Sequence, residues 1–479
     1  MAEVKYAHQN VAFEAVDLKA GRYKVINRFY FTNLKKYDVR YELQANGSVI
    51  KKGKIALEVN PQTAAEFTIP VVVTVGKPGV EYFVCFSVVT RQAEPLIPIG
   101  HEIAQEQFRL PLEMKKDSYE TSGKVLEWKA ENGKVIVSSS EVYFEFDKVT
   151  GMVTSYKVNG TEYFDKAFGV QPNFWRAPND NDYGNSNPKR LQIWKESSRD
   201  FKVSDTAVRE EGETVLMSVT YDLPAGNQYL ITYRIYRDGV VNVNVKFTPT
   251  NREAEKTEVL EDTNLATFTP GKKAKKKDVL EVPRIGVRFR IPHVMNRVEY
   301  FGRGPVENYI DRNAGSMVGR YKTSANDMYV NYVRPQENGH RTDTRWVSFT
   351  NTAGRGLLVL AEKTVGFNAL RNTVEDFDSE ESSHPYQWRN RSPKEIADKN
   401  EAEAKNVLRR MTHVNDIVPR DFVEVCIDMK QQGVAGYDSW GAKVQPGYTI
   451  PANKDYVWGF TLIPVRNAGD VNKSLRYTY

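Results

Sequence analysis

The chain has 479 residues, of which 40% are hydrophobic and 11% aromatic, a composition typical of a folded globular protein. Its net charge of +6 is small for this length, and its two cysteines supply neither a disulfide framework nor the spacing of a cysteine metal motif. No apolar stretch is long enough to span a membrane, and residues 1–5 show no signal-peptide core.

Much of the positive charge lies in one run, residues 272–277, in which five lysines surround Ala274. No aromatic residue is interleaved with these lysines, although stacking on nucleic-acid bases would require one. The run therefore predicts a solvated loop tip and no nucleic-acid partner.

In the first 112 residues, apolar and polar side chains alternate as they do in β-strands. Val39, Tyr41 and Leu43 share one face of such a strand, and Asn46-Gly47 then supplies a two-residue hairpin turn. Two apolar runs, at residues 71–73 and 82–89, indicate strands buried on both faces. Several short strands within about a hundred residues predict an immunoglobulin-like β-sandwich over residues 1–112.

A polar segment, residues 113–125, lacks this alternation and is predicted to be a linker. From residue 126 to residue 479 the strand pattern resumes, with a hairpin around Asp238-Gly239. The pattern predicts a large antiparallel β-structure of two packed sheets, so that the whole chain is all-β. One surface helix is expected after Ser392, where Pro393 and Glu395 complete a capping box.

Few arrangements of catalytic or metal-binding type are present. There is no Gly-x-Ser-x-Gly or His-Glu-x-x-His motif, and the six histidines are scattered; His340 is expected to cap a turn. Residues 179–184 superficially suggest a calcium loop, but with Asp180 as first ligand the twelfth position is Leu191. We therefore predict a turn-rich loop there, and no metal site.

Two carboxylates flanking a sugar would be typical of a glycosidase, and Glu307 and Glu337 are candidates for that pair. Each lies near arginines, which favours structural ion pairing over catalysis. Farther along, Trp440 lies in a loop flanked by Gly436 and Gly441. Its ring could form a platform for a sugar or pack at the edge of the core, and the sequence leaves these two interpretations equally open.

Four motifs, at residues 174–184, 302–312, 327–339 and 436–440, occur in an order that resembles the C-terminal part of glycoside hydrolase family 2 β-galactosidases. The resemblance implies an immunoglobulin-like domain at 1–112 and a small-chain β supersandwich domain at 126–479. It also implies that the catalytic glutamates lie on a barrel upstream, for which this sequence has no alternating strand and helix pattern. The chain is then expected to be inactive alone, with the catalytic barrel domain as its partner and no identifiable cofactor.

The resemblance assigns roles to individual residues. It implies that Trp440 contacts sugar, and that an active-site loop contains Asp180, Asn181, Asp182 and Gly184, with Gly184 near the hinge. The following segment, residues 185–189, departs from better-known members. No catalytic residue is assigned, and the polar residues expected to have structural roles are Arg176, Arg303, Glu307, Asn308, Glu337, Asn338, Arg341 and Asp438.

Two alternatives stay open on the sequence alone. The chain could be a stand-alone carbohydrate-binding or scaffold module, or the small subunit of a two-chain β-galactosidase. The ligand is expected to be a β-galactoside or another carbohydrate, a homo-oligomer is possible, and the compartment, cytoplasmic or periplasmic, is undetermined.

Overall fold

The structure is a computed structural model and describes residues 1–70, 73, 75–112, 114–250, 281–378, 413–438 and 442–479. Several features predicted from the sequence lie outside these residues. They are most of the apolar run at 71–73, the lysine run at 272–277, the helix expected after Ser392, and Trp440.

The described residues are dominated by β-strands, as the alternating pattern predicted. The strands are β1 Val11–Asp17, β2 Arg22–Asn27, β3 Tyr37–Ala45, β4 Ser48–Ile55, β5 Ala64–Thr68, β6 Tyr82–Thr90, β7 Glu102–Arg109, β8 Asp117–Ser118, β9 Glu127–Glu131, β10 Lys134–Ser138, β11 Val142–Asp147, β12 Met152–Val158, β13 Thr161–Glu162, β14 Gln171–Asn173, β15 Lys202–Glu211, β16 Thr214–Asp222, β17 Gln228–Tyr236, β18 Val241–Thr248, β19 Arg284–Pro292, β20 Arg297–Gly304, β21 Met317–Ser324, β22 Arg341–Thr350, β23 Gly356–Leu370, β24 Phe422–Gln431, β25 Tyr456–Val465 and β26 Tyr477–Thr478.

Strands β1–β7 form a two-sheet sandwich, called here the N-terminal sandwich. One sheet has the order β1-β2-β5 and the other the order β4-β3-β6-β7. Their facing side chains form one core, in which the Phe86 ring lies 4.8 Å from the rings of both Phe13 and Tyr23. The predicted hairpin turn joins β3 to β4, with positive φ angles of 46° at Asn46 and 77° at Gly47.

Strands β9–β25 form a second and larger structure, called here the C-terminal sandwich. A five-stranded sheet, β13-β12-β11-β10-β9, faces a twelve-stranded sheet whose main path is β14-β19-β24-β23-β25-β18-β17-β16-β15. In the larger sheet β22 joins β20 to β23, and β20 also pairs with β21. The two layers share one core, where the Phe144 and Tyr233 rings lie 5.5 Å apart. The all-β, antiparallel fold class is therefore confirmed.

Six short α-helices occur in the described part of the chain, all of them at the ends of strands. They are α1 Ala2–Ala7, α2 Asp180–Gly184, α3 Asn187–Arg190, α4 Gln192–Ser197, α5 Val374–Phe377 and α6 Ala468–Ser474. Three of them, α2–α4, lie between β14 and β15 in the sequence.

The segment predicted as a linker is partly fixed to the end of the chain. Asp117–Ser118 (β8) pairs in parallel with Tyr477–Thr478 (β26). The Tyr119 hydroxyl also donates a hydrogen bond to Asp238, in the hairpin between β17 and β18. These contacts hold residues 117–119 against the C-terminal sandwich.

The two sandwiches contact each other directly. The Gln107 side chain makes two hydrogen bonds to the backbone of Val318, at 2.8 and 2.9 Å. Arg345 of the C-terminal sandwich donates to Glu81 of the N-terminal one at 2.6 Å, and the Phe83 and Phe301 rings pack edge to face at 6.3 Å. A small apolar cluster therefore spans the junction.

Candidate functional site

Helix α2 begins with a capping box. The Asn179 side chain accepts from the Asp182 amide at 2.9 Å, and the Asp182 carboxylate accepts from the Asn179 amide at 3.1 Å. The prediction of a turn-rich loop over residues 179–184 is therefore wrong, although Asn and Asp side chains do bond the local backbone as expected. Asp180 and Gly184 lie on the exposed side of the helix.

Asp182 is the buried anchor of α2. The Arg176 guanidinium donates to both of its carboxylate oxygens, at 3.0 and 3.1 Å, and both side chains are almost fully buried. Asn187 donates to the same carboxylate at 2.7 Å, and Arg176 also donates to the Gln432 carbonyl at 3.0 Å. Arg176 uses one terminal nitrogen for Asp182 and the other for Gln432, and so ties α2 to the end of strand β24.

The segment after β24, residues 433–444, is called here the 433–444 loop, and α2 lies beside it. The Asn181 amide donates to the Val434 carbonyl at 3.1 Å, and the Asn185 amide reaches the Ala442 carbonyl at 3.5 Å. A Cβ atom at Gly436 would lie 2.9 Å from the Asn181 amide nitrogen. The structure therefore brings together two segments that the sequence analysis assigned to one sugar site.

A third segment fixes the 433–444 loop from the other side. The Asp311 carboxylate accepts hydrogen bonds from the amides of Val434, at 3.1 Å, and Ala435, at 2.9 Å. At Gly433 a Cβ atom would collide with the same carboxylate, so the close approach requires glycine. Sequence analysis did not single out Asp311, although it lies inside one of the quoted motifs.

Toward the tip of the loop, the described residues end at Asp438 and resume at Ala442. Asp438 accepts a hydrogen bond from the Ala442 amide at 3.1 Å, and the exposed Tyr437 donates to the Lys443 carbonyl at 3.1 Å. The two stems of the loop are thus tied together on either side of Trp440, which itself lies outside the described residues.

Both carboxylate oxygens of Glu307 accept hydrogen bonds from neighbouring residues. One oxygen accepts from Arg312 at 3.1 Å and from the Tyr332 hydroxyl, and the other accepts from the Gly339 amide at 2.9 Å. Both carboxylate oxygens therefore hold surrounding loops in place.

Glu337 lies in a buried group of charged side chains. The Arg284 guanidinium is 3.3 Å from Glu337 and 3.3 Å from Asp428, and all three side chains are buried. Burial raises the pKa of Glu337 and raises that of Asp428 to about 7, although Arg284 acts in the opposite direction on both. Neither Arg284 nor Asp428 was singled out from the sequence, because β19 and β24 become neighbours only in the folded sheet.

His340 lies beside this group. Its ring is buried and stacks on Tyr309 at 5.5 Å, and burial holds its pKa well below the usual value. Its Nδ1 atom has no hydrogen-bond partner among the described residues, and the capping of a turn by His340 stays a prediction.

The other polar residues expected to have structural roles bind backbone and neighbouring side chains. Arg303 donates to Asp343 at 2.6 Å and to two carbonyls. Asn308 binds backbone atoms of Arg303, Val306 and Thr342. Asn338 accepts from the Val330 amide at 3.1 Å, and Arg341 donates to the Tyr300 hydroxyl at 3.1 Å.

Neither a membrane-spanning helix nor a metal-binding group is present among the residues that the structure describes. None of the helices formed by these residues combines the length and the apolar character needed to cross a lipid bilayer. No group of three or more His, Cys, Asp or Glu side chains among them is arranged to hold a metal ion.

Comparison with known proteins gives consistent matches. The family described as Beta galactosidase small chain matches residues 138–462, and the family described as Beta-galactosidase, domain 4 matches residues 23–111. A Beta-galactosidase of Priestia megaterium is 31% identical over 468 residues, which are 97% of this chain and 40% of that protein. A Beta-galactosidase of Streptococcus thermophilus is 25% identical over 96% of this chain and 39% of that protein.

Among solved structures, a galactose mutarotase-like protein from Lactobacillus casei covers 69% of this chain and 100% of its own, with 11% identity and a TM-score of 0.34. This similarity is too low to bear on function. The sequence matches are decisive, since one family covers more than half of the chain. The chain belongs to the β-galactosidase small-chain family and corresponds to a C-terminal part of a β-galactosidase, spanning about 40% of the length of the curated relatives it matches.

Proposed function

We propose that this chain is the C-terminal region of a retaining β-galactosidase and supplies the rim of the sugar-binding site, without the catalytic glutamates. The proposed divisions are an immunoglobulin-like domain at 1–112, a linker at 113–125 and a supersandwich domain at 126–479. The observation that carries the proposal is that Asn181 and Asp311 both bind the first stem of the 433–444 loop, at Val434 and Ala435. This loop carries Trp440, the residue proposed to contact the sugar.

In the whole enzyme, a carboxylate of the barrel domain attacks the anomeric carbon while a second carboxylic acid protonates the leaving oxygen. Water then hydrolyses the galactosyl-enzyme. This chain contributes by positioning the sugar for the reaction. The Trp440 ring stacks on the sugar, and α2 narrows the sugar-binding pocket beside it. Glu307 and Glu337 keep their loops in place and take no part in proton transfer.

The first test is turnover of a chromogenic β-galactoside by the purified chain. We expect none. Turnover that disappears in both Glu307→Gln and Glu337→Gln, while both variants stay folded, would contradict the proposal because it would place catalysis within this chain.

The second test adds a barrel-bearing partner, a separately expressed catalytic barrel domain of a family 2 β-galactosidase. We expect hydrolysis to appear only in the mixture. Within the mixture, Trp440→Ala should raise KM strongly and lower kcat less, since stacking contributes mainly to sugar binding. The control is Trp128→Ala on β9, a partly exposed tryptophan of the five-stranded sheet. An unchanged KM in Trp440→Ala would remove Trp440 from the site.

One observation favours a second candidate, a carbohydrate-binding module that acts alone. Tyr437 is 63% exposed on the same loop as Trp440, so an aromatic surface is presented to solvent. Calorimetric titration of the isolated chain with galactose and lactose separates the two proposals. Tight binding without a partner favours the module, whereas absence of binding together with activity in the mixture favours the enzyme region.

A further inference from the structure

A cavity of about 560 Å³ lies at the junction of the two sandwiches. We call it the junction cavity, and its wall includes Glu81, Arg109, Lys116, Arg345, Trp346 and Leu360. Its volume falls within the range of small-molecule sites, roughly 300–1,000 Å³, and such sites occur preferentially where two domains meet. None of the described residues of α2 or of the 433–444 loop lines it.

The junction cavity stays open although the sandwiches touch around it. The backbones come so close at Gly79 that a Cβ atom there would collide with the Leu475 carbonyl. Arg345 reaches across to Glu81 at 2.6 Å. The space between these contacts is therefore a built feature of the junction rather than a loose gap.

Positive charge predominates on the cavity wall. Four of its described side chains are cationic and two are carboxylates. One carboxylate, Glu81, binds two of the cations, with Arg109 Nε at 2.9 Å and Arg345 Nε at 2.6 Å. The two arginines are thereby held in place, and the remaining cations on the wall are Lys116 and Lys363.

Lys116 is the side chain that points most clearly to a ligand. It is half-buried in the cavity wall and makes neither a hydrogen bond nor an ion pair with any residue that the structure describes. Burial lowers the pKa of its ammonium group, and the nearby Glu81 offsets only part of that shift. An ammonium group in this setting gains a partner if an anion enters the cavity.

Apart from Asn46 and Thr364, the rest of the wall is apolar. The C-terminal sandwich and its last helix supply buried Phe301, Trp346, Leu360 and Leu475, and the chain before residue 115 supplies Val80, Leu112 and Met114. A hydrated inorganic ion would leave this surface uncovered. A molecule with a flat apolar body and one anionic group would match both parts of the wall.

We propose that the junction cavity binds a small organic anion, a carboxylate or phosphate carried on an apolar ring, with Lys116 contacting the anionic group. The apolar wall receives the ring, and the paired arginines add long-range attraction for negative charge. The proposal uses none of the residues assigned to the sugar site.

Phenyl phosphate is a suitable probe, because it carries an anionic phosphate group on an apolar ring. Isothermal titration of the full chain should show saturable binding, and Lys116→Met should weaken it about tenfold or more, since charge-assisted contacts are among the stronger ones. Lys116→Arg should restore most of the affinity. The matched control is Lys115→Met, the same change at an exposed neighbour that does not line the cavity.

Two comparisons locate the binding and test its chemistry. Phenyl phosphate should protect Lys116, and not Lys115, from acetylation as measured by mass spectrometry of peptides. Inorganic phosphate should bind more weakly than phenyl phosphate, because it cannot cover the apolar wall. The proposal is overturned if phenyl phosphate shows no saturable binding, if Lys116→Met binds as tightly as the wild type, or if inorganic phosphate binds equally well.

Discussion

Asp311 and Ala435 are 124 positions apart in the sequence, and the Asp311 carboxylate accepts a hydrogen bond from the Ala435 amide at 2.9 Å. The Val434 amide donates to the same carboxylate at 3.1 Å. A charged acceptor shared by two successive amides leaves the backbone little freedom at that point. The conformation of the 433–444 loop therefore depends on a residue in a different part of the chain.

Asp311→Asn should loosen this loop. An asparagine has one acceptor oxygen and no charge, so at least one charge-assisted hydrogen bond is lost. We expect hydrogen exchange at the Val434 and Ala435 amides to accelerate about tenfold or more. Asp327→Asn is the control, since the Asp327 carboxylate accepts a hydrogen bond from the nearby Ser324 hydroxyl and forms none with the described residues of the loop. Equal protection in Asp311→Asn and wild type would show that the carboxylate does not hold the loop.

Gly79→Ala should destabilise the chain through the contact between the sandwiches. Gly79 has a φ of +71°, and an added Cβ would meet the Leu475 carbonyl. Gly100→Ala is a matched control, because Gly100 has a φ of +78° and open space around it. We expect the control to cost about 1 kcal/mol of backbone strain and Gly79→Ala to cost about 2 kcal/mol more.

The measurement is thermal or urea unfolding of both glycine variants. If both variants lose the same free energy of unfolding, the backbone at Leu475 moves away from an added Cβ at position 79 without destabilising the chain.

Arg176→Met should lower the free energy of unfolding by about 3–5 kcal/mol, because it leaves the buried Asp182 carboxylate without its cation. The comparison is Arg209→Met, which breaks an exposed pair with Glu211 and should cost much less, because solvent screens that pair. Urea unfolding of both variants gives the two values. A similar small loss in each would indicate that water or another cation replaces Arg176.

Asp428 should make the fold less stable as pH rises. In the folded chain burial raises its pKa to about 7, whereas in an unfolded chain an aspartate has a pKa of about 4. Between these values the folded state binds the additional proton, so the free energy of unfolding falls as pH rises from about 4 to about 7. Glu337, whose pKa burial also raises, acts in the same direction.

In Asp428→Asn the asparagine cannot ionise. The variant therefore lacks the contribution of Asp428 to the fall in the free energy of unfolding with pH. Relative to wild type, the variant should gain more than about 1 kcal/mol of stability between pH 5 and pH 7.5, since each pKa unit corresponds to about 1.4 kcal/mol. Urea unfolding at several pH values checks this. A difference that stays constant with pH would contradict the protonation of Asp428 in the folded chain.

Much of the fold was predictable from local pattern. Alternation at Val39, Tyr41 and Leu43 indicates a strand with one buried face, and all three side chains are buried in β3. The dipeptide Asn46-Gly47 specified its own hairpin, because few other residue pairs accept two positive φ angles. The quoted motifs identified the family, which the comparisons confirm.

The candidate site was less predictable. Residues 179–184 contain the side chains of a turn-rich loop, yet Arg176 and the end of β24 stabilise them as a capped helix. Asp311, Arg284 and Asp428 gave no sequence signal of their own.

Strands, tight turns and the family motifs are recognisable in short stretches of sequence, because side-chain periodicity and turn chemistry act over a few neighbouring residues. Which charges meet, and which distant residue binds the stem of the 433–444 loop, follows from the folded arrangement of the strands. Arg284 pairs with Asp428 because β19 and β24 are adjacent in the sheet, and Asp311 reaches Val434 from a distant loop. Such pairings depend on strand order and on burial, which no local pattern specifies.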